Sequence, residues 1–107
     1  MMSLLELAER CEAAEGSDSN LDWAIINAIN PDERWTYTGS IDAAARLVPE
    51  GWGWNLDSGG YAVVLDWGNG PKPRIGGRGA TPALALCAAA LRARAAIADT
   101  PKTRGET

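Results

Sequence analysis

Hydrophobic and polar positions recur with two different periods along the chain, and these periods predict an α+β fold. In residues 3–14 apolar side chains return every three or four positions, which is typical of an amphipathic helix. Ser3 and Glu6 have the spacing of a capping box at the start of this helix. The same period predicts further helices over residues 21–29, 40–48 and 81–98.

The period changes to two between the third and fourth predicted helices, which indicates β-strands. Trp52, Trp54 and Leu56 share one side of the first strand, and residues 61–67 alternate in the same way. Asp57-Ser58-Gly59-Gly60 separates the two segments and has the composition of a tight turn, because glycine adopts positive φ without strain. The pattern therefore predicts a β-hairpin.

Two other segments have weaker strand patterns. Trp35-Thr36-Tyr37 is aromatic and β-branched and predicts a short extended segment. Residues 68–80 contain five glycines and two prolines, which predict either a loop or a short irregular edge strand around Arg74-Ile75. The expected fold is α+β, with a small antiparallel sheet (a hairpin plus a short strand) packed against helices in the order α-α-β-α-β-β-α. Residues 1–98 are expected to form a single domain, and residues 99–107 a flexible polar tail.

The composition is typical of a water-soluble domain. The chain has 107 residues, 46% of them hydrophobic, which is enough for the core of one domain. No apolar run approaches the roughly 20 residues that cross a bilayer, and the N-terminus lacks the basic start and long apolar stretch of a signal peptide. We therefore expect a cytoplasmic protein that does not associate with a membrane.

Few residues are available for chemistry. The sequence contains no histidine, which removes the commonest general base and a common zinc ligand. Cys11 and Cys87 lie among apolar residues of two predicted helices and are expected to be reduced core thiols, since a disulfide requires that the two positions face each other. No spacing brings two carboxylates together as an acid–base pair. We therefore expect no enzyme activity, no cofactor and no metal.

Gly76-Gly77-Arg78-Gly79-Ala80 directly precedes the last predicted helix and has two interpretations. Backbone N–H groups at the start of a helix bind anions, and Arg78 would add positive charge there. The segment lacks the phosphate-loop pattern, which favours a flexible connection between a strand and the helix.

Charge is distributed unevenly along the chain. The net charge is −4, but residues 1–66 carry 12 acidic and 3 basic residues, whereas residues 67–107 carry 2 acidic and 7 basic residues. Such asymmetry either marks an interaction surface or reflects pairing between the two parts. The negative net charge opposes general binding of nucleic acid.

Three segments of the chain carry a resemblance to a known family. They are Tyr37 with Ile41-Asp42-Ala43-Ala44, the hairpin segments Gly51-Trp52-Gly53-Trp54 and Tyr61-Ala62-Val63-Val64-Leu65, and the helical segment Ala80–Ala93. With these features the stretch from about Trp35 to Ala96 resembles the phage α-β-α sandwich domain family of small phage and prophage proteins. The resemblance implies an origin in a phage or prophage and a small antiparallel sheet against helices. It brings no catalytic residues.

On this basis we expect a non-enzymatic phage or prophage protein that binds a host protein in the cytoplasm of the host cell. An inhibitor of a bacterial defence system, such as an anti-CRISPR, is one example. An acidic surface over residues 1–66 would face the basic nucleic-acid channel of a host complex, and such charge matching speeds association. The residues expected to contact the partner are Asp18, Asp22, Asp32, Glu33, Trp35, Tyr37, Asp57 and Arg78.

Two further expectations concern other partners. The alternative function is a nucleic-acid or nucleotide binding module in the basic C-terminal region, formed by Lys72, Arg74, Arg78, Arg92 and Arg94. A homodimer is also expected, because the alanine-rich last helix is slim enough for close packing, either within the chain or against a partner.

Overall fold

The computed structural model describes residues 3–29, 36–49, 52–57, 60–66 and 74–99. These residues form α-helices, one 3₁₀ helix and a three-stranded sheet. In chain order the elements are α1 (Leu4–Ala13), α2 (Ser19–Ile29), the 3₁₀ helix (Tyr37–Gly39), α3 (Ile41–Ala45), β1 (Trp52–Asp57), β2 (Tyr61–Asp66), β3 (Arg74–Arg78) and α4 (Pro82–Asp99). The predicted α+β class, with a small antiparallel sheet packed against helices, is confirmed.

The sheet has the strand order β1-β2-β3, and both neighbouring pairs are antiparallel. The turn between β1 and β2 ends at Gly60, whose φ of 83° lies in the left-handed region that favours glycine. The Gly60 N–H donates to the Asp57 carbonyl at 3.2 Å, and the Gly60 carbonyl accepts from the Gly79 N–H at 3.1 Å. The predicted hairpin is therefore present, and its turn is bonded to the end of β3.

Helix α4 is the centre of the molecule. Every residue from Ala83 to Leu91 is buried, so no side of the helix faces solvent over these turns. The helix contacts all three strands, and it also contacts α1 and α3. Alanine at many of these positions keeps the helix thin, which lets the sheet and the other helices approach its backbone. The alanine-rich surface therefore packs within the chain.

Strand β3 approaches α4 so closely that two positions require glycine. A Cβ atom on Gly77 would collide with the amide nitrogen of Ala89 and lie 2.8 Å from the carbonyl oxygen of Ala85. A Cβ atom on Gly79 would lie 2.6 Å from the amide nitrogen of Ala85. The glycines that resembled a flexible connection in the sequence therefore allow contact between a strand and a helix.

The starts of α1, α3 and α4 agree with the prediction, and each has a side-chain cap, whereas α2 begins at Ser19, two residues before the predicted start. Ser3 and Glu6 form the reciprocal hydrogen bonds of a capping box. The Thr81 hydroxyl accepts from the Leu84 N–H at 3.2 Å, and the Ser40 hydroxyl accepts from an N–H in the first turn of α3. Among the described residues, no helix combines the length and apolar character that crossing a bilayer requires.

The predictions for three other parts of the chain had different outcomes. Tyr37 begins the 3₁₀ helix instead of ending an extended segment, and Trp35 lies outside the described residues. The third strand is β3, so the edge-strand alternative around Arg74-Ile75 is confirmed. Helix α4 ends at Asp99, and the rest of the predicted tail lies outside the described residues.

Candidate functional site

One side of the sheet is covered by α4, and no helix among the described residues covers the other side. Ala62 and Val64 of β2 are fully buried, whereas Tyr61 and Val63 alternate with them and point to the opposite side. Tyr61 is 39% exposed. We call this opposite side of the sheet the open face, and its described side chains are Asn55, Asp57, Tyr61, Val63 and Arg78, with Gly76 between them.

Three unlike side chains form a row across the open face. Tyr61 on the central strand is paired with Asp57 of β1 and with Arg78 of β3. Directly opposed residues in an antiparallel sheet have Cβ atoms about 5 Å apart, so the three side chains are neighbours. Asp57 and Arg78 are both exposed. The row therefore presents a carboxylate, a phenol and a guanidinium to solvent.

The Tyr61 ring lies across β3 at Gly76. A Cβ atom on Gly76 would collide with the Tyr61 hydroxyl and lie 2.8 Å from Cζ of the ring. The missing side chain at Gly76 therefore provides the space that the hydroxyl end of the Tyr61 ring occupies. The side chain is in contact with β3 there and remains partly exposed to solvent.

The outer edge of β3, next to the open face, is closed by α1 and α4. The Arg78 N–H donates to Glu12 Oε2 at 3.0 Å, and the Gly76 carbonyl accepts from Arg92 Nη1 at 3.2 Å. Arg92 and Glu12 also form a bidentate ion pair, with N–O distances of 2.5 and 2.8 Å. Hydrogen bonds from Arg92 hold the pKa of the Glu12 carboxyl below its ordinary 4.5, and the same pair raises the pKa of Arg92.

Two arginines of the basic C-terminal region are occupied within the fold. Arg92 is bonded to Glu12, as described above. Arg94 donates from Nε to the Leu47 carbonyl at 2.6 Å and from Nη2 to the Arg46 carbonyl at 3.4 Å, beyond the last turn of α3. Burial lowers the pKa of Arg94. These two guanidinium groups satisfy internal acceptors, which reduces the basic surface expected from the sequence.

The predicted partner-binding residues are separated by the structure. Asp57 and Arg78 lie in the row on the open face, and Asp18 is exposed at the start of α2, where its side chain accepts from the N–H groups of Asn20 and Leu21. Asp32, Glu33 and Trp35 lie outside the described residues.

Asp22 and Tyr37 are buried, so the expectation that they form surface contacts is wrong. Asp22 is 8% exposed, and its Oδ1 accepts from both the N–H and the hydroxyl of Thr38 at 2.8 Å. Tyr37 is 3% exposed, and its carbonyl accepts from the Cys87 thiol at 3.1 Å. These hydrogen bonds connect the 3₁₀ helix to α2 and to α4. They satisfy polar groups that are buried and would otherwise lack a partner.

The two cysteines are buried next to each other as free thiols. The hydrogen bond with Cys11, together with burial, raises the pKa of the Cys87 thiol. A thiol with a raised pKa is a poor nucleophile, so Cys87 does not resemble a reactive cysteine. Among the described residues, no group of three or more potential metal ligands lies together.

Three amides in the glycine-rich segment and at the start of α4 are bonded within the fold, which reduces the support for an anion site there. The Arg78 N–H is bonded to Glu12, and the Gly79 N–H is bonded to the Gly60 carbonyl. At the start of α4, the Leu84 N–H is bonded to Thr81. Three of the amides that could bind an anion therefore already have acceptors in the protein.

Sequence reasoning missed the contribution of Tyr61 to the candidate site. The alternation along β2 placed Tyr61 and Val63 on one side and Ala62 and Val64 on the other, but both sides are apolar. The pattern alone therefore did not indicate which side α4 covers. The small size of Ala62 was the available signal, because a helix packs closely against small side chains.

A scan against protein-family models, a search of the curated proteins and a search of the solved structures each find no match. The resemblance to the phage α-β-α sandwich family therefore stays a prediction.

Proposed function

We propose that this chain is a non-enzymatic protein of phage or prophage origin that binds a host protein through the open face. The observation that supports the proposal is the row of Asp57, Tyr61 and Arg78 on the solvent side of the sheet. An exposed aromatic ring between two opposite charges is typical of a protein-binding surface, where tyrosine and arginine are enriched among the energetically dominant residues.

Tyr61 is the expected anchor of the interface. The end of its ring lies over Gly76, and this contact orients the side chain before a partner binds. Asp57 and Arg78 on either side would fix the orientation of the partner, because charged groups at the rim contribute to specificity and association rate. The partner is expected to offer an apolar pocket between a basic and an acidic group.

The phage resemblance supports a narrower version of the proposal, in which the partner is a subunit of a bacterial defence complex and the protein is an inhibitor such as an anti-CRISPR. The alternative, binding of nucleic acid or nucleotides, has less support. Arg92 and Arg94 already bond within the fold, and Arg78 is one of the remaining basic groups of that region.

Affinity capture with matched variants tests the proposal. Tagged wild-type protein and the variants Tyr61→Ala, Arg78→Glu and Leu5→Ala are exposed to lysates of several bacterial hosts, and captured proteins are identified by mass spectrometry. Leu5→Ala is the control, because Leu5 is 48% exposed on α1, in the helical part of the molecule. Each purified partner is then titrated against all four proteins.

We expect a host protein that binds wild type and Leu5→Ala equally and binds Tyr61→Ala at least about tenfold more weakly. Equal affinity for all variants would mean that the open face is not the interface. Salt-sensitive binding of labelled DNA or RNA that Arg78→Glu abolishes, with no captured protein, would instead support the alternative function.

A further inference from the structure

Strand β1 is the second edge of the sheet, and the hydrogen-bond pattern fixes which of its backbone groups point outward. The bond between Gly79 and Gly60 belongs to the β2–β3 side of the sheet. Counting along β2 from this bond, the backbone groups of Ala62 and Val64 face β3, and those of Tyr61 and Val63 face β1.

The partners of Tyr61 and Val63 on β1 are Asp57 and Asn55, whose backbone groups therefore point inward to β2. The backbone groups of Trp52, Trp54 and Leu56 point outward. The Trp52 N–H donates to the Pro49 carbonyl at 3.1 Å. For the N–H and C=O groups of Trp54 and Leu56, the part of the chain that the structure describes offers no partner at this edge.

The outer edge of β1 also lacks the features that normally prevent strands from pairing. Between Trp52 and Leu56 the sequence has no charged residue and no proline. Trp54 is 37% exposed beside the edge. An uncharged edge strand with a half-exposed indole is a surface that a further β-strand would cover.

We propose that β1 pairs with β1 of a second copy of the chain, antiparallel, across a two-fold axis at Trp54. In this register the two Trp54 residues exchange a pair of hydrogen bonds, and each Leu56 N–H donates to the Trp52 carbonyl of the other copy. Gly53 faces Asn55 of the second copy. Both outward groups of Trp54 and the Leu56 N–H are thereby satisfied by the edge itself, while the Trp52 N–H keeps its bond to the Pro49 carbonyl and the Leu56 carbonyl stays with solvent. Because each bond is repeated across the axis, the contact forms a closed symmetric dimer.

The charges at this edge are compatible with a second copy as the occupant. The net charge of −4 opposes the approach of two copies, and contact through an uncharged segment adds no further repulsion between like charges. The paired positions 52–56 contain no charged side chain, and no like charges meet in the proposed register. The dimer has a continuous sheet, and its two-fold axis is perpendicular to that sheet. Both open faces therefore lie on the same side.

Charge-swapped variants at Trp54 test the register directly, because this residue meets itself at the axis. We expect wild-type protein to show a concentration-dependent dimer in sedimentation velocity between about 1 µM and about 1 mM. Trp54→Lys and Trp54→Glu should each be monomeric, and an equimolar mixture of the two should recover the dimer. Leu5→Lys and Leu5→Glu are matched controls that should keep the wild-type dimer, and circular dichroism checks that every variant is folded.

Hydrogen exchange on the wild-type protein gives a second test that needs no variant. The amides of Trp54 and Leu56 should gain protection as the concentration rises, whereas the Asn55 amide, which points to β2, should be protected at all concentrations. A monomer up to about 1 mM with unprotected Trp54 and Leu56 amides would overturn the proposal. A dimer that persists in both Trp54 variants would overturn it as well, since the contact would then use another surface.

Discussion

The two edges of the sheet differ in how their backbone groups are satisfied. At the β3 edge, Glu12 accepts from the outward N–H of Arg78, and Arg92 donates to the outward carbonyl of Gly76. At the β1 edge, the outward groups of Trp54 have no such partner among the described residues. The difference shows that edge protection here comes from side chains of neighbouring helices, and among the described residues these side chains bond to the β3 edge.

The position of α4 explains why the edges differ. It contacts β3 and β2 extensively and β1 much less, so a side chain of α4 reaches the outer side of β3. Arg92 projects from α4, and Glu12 comes from α1, which packs against it. The closed edge is therefore a consequence of helix packing, and substitutions at this contact should affect the stability of the whole fold.

The largest effect is expected from Gly77→Ala. Its Cβ would meet the Ala89 and Ala85 backbone, which cannot move away without shifting α4. We expect a loss of about 3 kcal/mol or more in the free energy of unfolding, measured by urea titration. Gly16→Ala is the control, since a Cβ at Gly16 meets nothing within 4 Å, and it should stay within about 0.5 kcal/mol of wild type. Equal stabilities would contradict the close contact between β3 and α4.

This contact also shows what the sequence could not predict. The helices were predictable because their period and caps are local, as with Ser3 and Glu6. For the segment of β3 the sequence left two alternatives, a loop and an edge strand, because glycine is a poor strand former. Glycine is required at position 77 by the closeness of α4, which the local sequence does not show. A local pattern contains no information about a contact across the fold.

The candidate site was predictable only in part for the same reason. Asp57 and Arg78 were selected as exposed charged residues, but only the strand register shows that Tyr61 lies between them. Asp22 and Tyr37 were expected on the surface because they are polar or amphipathic. Their burial depends on partners 16 and 50 positions away in the sequence, respectively.

A smaller effect is expected from Glu12→Ala, which opens the β3 edge. The substitution removes the acceptor of the Arg78 N–H and leaves Arg92 without its carboxylate. Both side chains of the pair are between a quarter and a third exposed, so solvent limits the cost to about 1 kcal/mol. Glu15→Ala, at an exposed acidic residue beyond α1, should change thermal stability far less. A similar melting temperature for both variants would show that the ion pair does not stabilise the edge.

The same pair predicts a pH dependence. The pKa of Glu12 is lower in the folded protein than its ordinary 4.5, so its contribution to stability is complete above about pH 4.5 and is lost as the pH falls through the lowered value. The raised pKa of Arg92 leaves that group charged throughout this range. The difference in unfolding free energy between wild type and Glu12→Gln should therefore be constant near neutral pH and shrink in acid. A difference that does not change with pH would contradict the assignment.

The smallest effect on stability is expected from Gly76→Ala, at the position next to Gly77. A Cβ at Gly76 points to the open face, where it meets the end of the Tyr61 side chain, and this side chain can rotate away. The Gly76 carbonyl keeps its bond to Arg92, because the substitution does not alter the backbone. We expect a change within about 0.5 kcal/mol by urea titration. Because the Tyr61 ring is displaced, binding of a captured partner should nevertheless weaken. If Gly76→Ala were strongly destabilised, β3 would tolerate a side chain on neither face. The large effect of Gly77→Ala could then not be attributed to its contact with α4.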